Sequence, residues 1–155
     1  MQNKFAKLLL RTIKKVTKSD HPKLHEPYFD KVEIKEIKKC IESNFVSTSG
    51  PQVKEFENKL SKLTKSKFII ATNSGTSALH LALKAMNINF DSEVLIPSLN
   101  FVASANAIKY CNAEPHFIDS DQKNLSVDSN KLSEYLKKNT KIINGKCINK
   151  KTKKV

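Results

Sequence analysis

Residues Phe68–His80 read FIIATNSGTSALH, and this stretch decides the fold. Phe68–Ala71 is a short apolar run without polar alternation, the pattern of a strand covered on both faces. It stops at Asn73-Ser74-Gly75, and a helical pattern follows at once, with Ala78, Leu79, Ala82, Ala85 and Met86 as its expected buried side. Asn87–Ser92 then reads as a turn and Glu93–Pro97 (EVLIP) as a second strand. A helix is expected from about Phe101 to Tyr110, with Ala105 and Ile108 inward and Asn112 ending it. Glu114–Asp119 (EPHFID) reads as a third strand, Asp128 as the cap of a helix through Leu136, and Lys141–Ile148 as the start of a fourth strand or a hairpin. Alternating strands and helices predict an α/β fold with a mostly parallel sheet of about three strands and helices against it. Ligands in such sheets bind at the carboxyl ends of the strands.

Upstream, Phe5, Leu9, Ile13 and Val16 fall at helical spacing among Lys4, Lys7, Arg11, Lys14, Lys15 and Lys18. This is a basic amphipathic helix, open to use as a membrane-surface anchor, a presequence, or a terminal helix docking on its own protein or a partner subunit. Leu8–Leu10 is too short for the core of a secretion signal. His21–Pro27 breaks the helix with two prolines. Asp30 and Glu33 form a capping-box pattern ahead of Ile34, Ile37 and Ile41, and Asn44–Gly50 ends that helix. Pro51 suits a first helical position, with Val53, Phe56, Leu60 and Leu63 behind it.

The chain has 155 residues and a formal charge of +13, unevenly spread. Residues 1–25 hold seven Lys/Arg and one acid, and residues 137–155 hold eight Lys and no acid, so the body between is almost neutral. A nucleic-acid face would spread basic residues through the folded domain with aromatics among them, so no nucleic-acid partner is expected. No run approaches the roughly 18 apolar residues of a membrane span. Three widely spaced cysteines argue against a disulfide framework or a zinc site, and with no secretion signal they point to a cytoplasmic protein.

The turn before Ala78 has the chemistry of an anion site. A helix N-terminus leaves N–H groups unpaired with about half a positive charge behind them. Gly75 lets backbone approach an anion, and the hydroxyls of Thr76 and Ser77 add donors. An ordinary serine cap would look the same. Neither a P-loop (G-x-x-x-x-G-K-[ST]) nor a dinucleotide fingerprint (G-x-G-x-x-G) occurs.

Four segments, Phe45–Glu57 (FVSTSGPQVKEFE), Ala71–Leu83 (ATNSGTSALHLAL), Pro97–Ile108 (PSLNFVASANAI) and Ala113–Asp119 (AEPHFID), occur in an order and spacing that resemble the DegT/DnrJ/EryC1/StrS sugar aminotransferases. Leu24–Phe29 (LHEPYF) and Ile41–Ser47 (IESNFVS) further resemble the branch that aminates nucleotide-linked 4-keto sugars for nonulosonic, legionaminic-type acids. The resemblance implies a fold type I, three-layer α/β/α large domain and pyridoxal 5′-phosphate as cofactor. It also implies a nucleotide-sugar substrate, a glutamate-type amino donor and a homodimer. Gly75, Thr76 and Ser77 match the positions that hold the cofactor phosphate, and Phe101 matches the aromatic that stacks on the pyridine ring. Ser98 and Asn100 flank it without an assigned role.

Departures are informative. Asn87, Asn89, Asp91 and Asn112 stand where the family usually has glycine, and Asn and Asp best tolerate left-handed backbone. No lysine here matches the family's Schiff-base position, and Asp119 and Asp121 match a strand end, not the carboxylate beside the pyridine nitrogen. No catalytic or metal-binding residue is therefore assigned. The expected layout is a basic helix and linker over 1–25 and an incomplete large domain over 26–155, without the small C-terminal domain. Such a portion would be inactive alone and of marginal stability. The alternatives are a non-catalytic anion-binding α/β module and a degenerate remnant.

Overall fold

The computed structural model describes residues 2–23 and 27–155, so Leu24, His25 and Glu26 of the LHEPYF motif lie outside the described residues. The chain divides into two compact units, Met1–Glu55 and Phe56–Val155. The first holds α1 (Gln2–Thr17), α2 (Lys31–Glu42) and the opening of α3 (Pro51–Thr64). Asp30 starts α2 as its pattern requires: its carboxylate accepts from the Val32 N–H at 2.6 Å, and its own N–H donates to Glu33 at 2.8 Å. These bonds satisfy amides that would otherwise be orphaned at the helix start. Ile34, Ile37 and Ile41 share one face, and all three are exposed.

The second unit contains α4 (Gly75–Ala85), β1 (Glu93–Pro97), α5 (Val102–Tyr110), β2 (Glu114–Ile118) and α6 (Ser129–Asn139), followed by β3 (Thr140–Ile143) and β4 (Lys146–Asn149). β1 and β2 pair in parallel, Glu93 opposite Glu114 and Pro97 opposite Ile118, with α5 as the crossover. Alternation along β1 sends Val94 and Ile96 to one face, where Ile108, Cys111, Ala113, Ala105, Leu83 and Ile88 close the core. On the opposite face His116 meets Tyr135 of α6, ring centroids 5.2 Å apart. A helix on each face of a parallel sheet is the three-layer α/β arrangement expected. Asn87 and Asn112 adopt φ of 59° and 57°, the left-handed geometry that glycine would take most easily.

Two expectations need correction. Phe68–Ala71 forms no strand; Phe68 and Ile70 are exposed, and the Ala71 N–H donates instead to the Glu57 carboxylate at 2.8 Å. A strand exists only where another backbone completes its ladder, and β1 and β2 pair with each other, so the sheet has two strands rather than three. The buried side expected for α4 is also displaced: Ala78, Leu79, Ala82, Ala85 and Met86 are exposed, while Thr76, His80 and Leu83 turn inward. The side turned inward is the one that meets α5, where His80 packs edge-on to Tyr110 at 5.7 Å. Lys141–Ile148, expected as a fourth strand or a hairpin, lies in an antiparallel hairpin apart from the main sheet, with Asn144 and Gly145 at φ of 50° and 75° forming its two-residue turn.

The residues after β4 return to the main sheet. Glu93 N–H donates to Val155 O at 2.7 Å and Val155 N–H to Asp91 O at 2.9 Å, a parallel bridge on the edge of β1 away from β2. No helix among the described residues is long and apolar enough to cross a membrane.

Candidate anion site at the start of α4

Ser74 is the N-cap of α4, with extended backbone (φ −160°, ψ 159°) and a hydroxyl that accepts from the Ser77 N–H at 3.1 Å. The two serine hydroxyls lie 3.1 Å apart, and Thr72 Oγ1 donates to the Ser74 carbonyl at 3.0 Å, stiffening the turn. The amides of Gly75 and Thr76 donate to no acceptor among the described residues. The first turn of α4 carries no acidic residue. Two free amides at the positive end of a helix, without a competing carboxylate, favour an anion.

Gly75 adds a second observation. Its φ lies outside the left-handed region, and a Cβ built on it would meet nothing within 4 Å. Neither backbone strain nor packing within the chain calls for glycine here, so the space above the helix start is open to an approaching ligand. Gly75, Thr76, Leu79, Phe101, Ala103 and Ser104 line one open cleft over that space. Phe101 sits at the start of α5, just past the carboxyl end of β1, and is 78% exposed, so it is not a core residue of that helix.

The sequence-derived set therefore divides. Gly75, Thr76 and Phe101 share the cleft, whereas Ser77 stands behind it with amide and hydroxyl engaged by Ser74. Sequence reasoning missed Leu79, Ala103 and Ser104 as lining residues. Ser104 carried a usable signal: it lies three residues after Phe101, one turn along, and its N–H donates to the Phe101 carbonyl at 3.1 Å.

The ionisable cluster of the second unit lies at the other end of the strands. Glu93, with only 8% of its side chain exposed, accepts from Asn149 Nδ2 at 2.9 Å and lies 3.1 Å from His116 Nδ1. Burial alone pushes the Glu93 carboxyl up, but hydrogen bonds from Thr152, Asn149 and His116 outweigh it and hold the pKa below the usual carboxylate value. This cluster ties the residues after β4 to β1. At the carboxyl end of β2, Asp119 is exposed and held low by the Lys131 ammonium at 2.8 Å, a surface ion pair.

Comparison with known proteins places the same segments in a family. The profile of the DegT/DnrJ/EryC1/StrS aminotransferases matches residues 27–145. GDP-perosamine synthase of Caulobacter vibrioides is 38% identical over 127 residues, which is 81% of this chain and 34% of that protein. The spore coat polysaccharide biosynthesis protein SpsC of Bacillus subtilis is 38% identical over 117 residues, 76% of this chain and 30% of its own length. The crystal structure of an aminotransferase from Psychrobacter cryohalolentis superposes with a TM-score of 0.66 at 28% identity, covering 73% of this chain and 29% of that one. The chain thus spans about a third of the length of these curated relatives.

Proposed function

This chain belongs to the DegT/DnrJ/EryC1/StrS aminotransferase family, and from that premise we propose that its residues form the phosphate-binding portion of an enzyme that aminates a nucleotide-linked keto sugar. The observation that carries the reading is the cleft joining the free amides of Gly75 and Thr76 to the exposed ring of Phe101. Pyridoxal 5′-phosphate, when bound, supplies an electron-withdrawing ring through which an amino group is transferred. The chain's own part is to bind and orient. Gly75 and Thr76 hold the phosphate, Ser77 fixes their turn through Ser74, and Phe101 covers one face of the ring. Relatives named GDP-perosamine synthase support a nucleotide sugar as acceptor. The donor is of glutamate type.

In this reading the lysine that carries the cofactor and the carboxylate that keeps its ring nitrogen protonated come from outside these residues, and the chain alone does not transaminate. Residues 26–155 are part of a large domain and residues 1–25 an appended arm. The working enzyme is a cytoplasmic homodimer completed by a small C-terminal domain.

Pyridoxamine 5′-phosphate is the probe of choice, because it lacks the aldehyde that would react with surface lysines. Its fluorescence should report binding to the full chain, pyridoxamine without the phosphate should not bind, and Thr76→Val should weaken binding about tenfold, the cost of one hydrogen bond to a charged group. Equal binding of the two amines would overturn the phosphate assignment.

A further inference from the structure

α1 lies outside residues 27–145, the segment that the family profile matches. α1 is also chemically unlike α2 and α3. α2 mixes both signs, with Lys38–Glu42 and Lys39–Glu36 ion pairs along its surface, and α3 alternates Lys54, Glu55, Glu57 and Lys59. Gln2–Thr17 contains no acidic residue. At 3.6 residues per turn its five cations, Lys4, Lys7, Arg11, Lys14 and Lys15, fall within an arc of about 100°. Most of the remaining circumference is apolar, and Phe5, Leu8 and Val16 on it are 70%, 62% and 76% exposed. Asp20, outside the helix, pairs with Lys14 at 3.0 Å.

We propose that α1 is a reversible anchor to anionic lipid surfaces, lying in the plane of the interface with Phe5, Leu8, Leu9 and Val16 among the acyl chains and the five cations among the headgroups. Charge complementarity selects this occupant. A stripe of one sign only, flanking a wide apolar arc, suits a surface of opposite sign, and a helix of this kind binds by apolar burial plus attraction to acidic lipids. The anchor would hold the chain at a membrane surface.

The test is flotation of the full chain with vesicles of equal phosphatidylglycerol and phosphatidylcholine, against pure phosphatidylcholine. Binding should require phosphatidylglycerol and fall about fivefold for each α1 cation changed to Gln, as in Lys7→Gln with Arg11→Gln. The lysines of 137–155 are the competing source of attraction, so Lys137→Gln, Lys138→Gln, Lys150→Gln and Lys151→Gln together should leave binding largely intact. The chain has no tryptophan, so Phe5→Trp gives a single reporter whose emission should shift to the blue only with the acidic vesicles. The proposal is overturned by binding equal on both vesicles, by loss of binding in the 137–155 variant alone, or by a blue shift that follows protein concentration without lipid, which would mark pairing of chains.

Discussion

Glycine is the poorest helix former after proline, and position 75 uses it where neither φ nor packing demands it. The structure therefore separates two effects of one methyl group. Gly75→Ala should leave thermal stability unchanged or raise it by about 0.4–1 kcal/mol, while pyridoxamine phosphate binding falls. A loss of both would mean that the residue serves the fold and not a ligand. Glu93 gives a second test. Its pKa is lowered in the folded state, so its stabilisation is complete above the ordinary value of 4.5 and is lost as pH falls through the folded pKa. Hydrogen exchange of Asn149–Val155 should accelerate in that acid range for the native chain, and Glu93→Gln should flatten the dependence. At this scale the sequence was legible where chemistry is local. Asn87 and Asn112 announced left-handed turns, but Lys18, Lys65, Leu125 and Lys153 adopt positive φ with no residue preference to betray it.

Elements were legible where their own residues close their hydrogen bonds. α2 was readable from Asp30 and Glu33 because a capping box is contained within four residues. Asp30→Ala should cost about 1 kcal/mol and reduce helical circular dichroism without altering the second unit. β1, α5 and β2 were readable because Val94, Ile96, Ala105 and Ile108 are sealed by one another. Ile108, 1% exposed, is the largest fully buried side chain among the described residues, and Ile108→Ala should destabilise the second unit by about 2–5 kcal/mol in urea titration. The apolar run at 68–71 failed as a strand for the complementary reason: its pattern specifies what covers its faces, not which backbone lies beside it. The faces of α4 misled in the same way. One apolar side was visible, and the position of α5 decided that another side is covered.

Over the whole molecule the balance is lopsided. The accessible surface is 13442 Å² for 17.5 kDa, against roughly 7,900 Å² for a compact monomer of that mass and roughly 9,400 Å² for two separate compact units of these sizes. Among the described residues, exposed apolar side chains on α1, α2 and α4 contribute to this excess. Urea unfolding should accordingly show a slope near the low end of the usual range, about 1 kcal/mol/M, with strong binding of a hydrophobic dye to the native chain. A steep slope without dye binding would show those side chains to be covered in solution. Charge was the whole-molecule property most legible beforehand, since it needs only counting. Val155 carries a further consequence. Its bridge to Asp91 and Glu93 sets the phase of the lane beside β1, so a peptide laid there has its odd and even side chains already allotted to the α5 and α6 layers. A slip of one residue would swap every one of them.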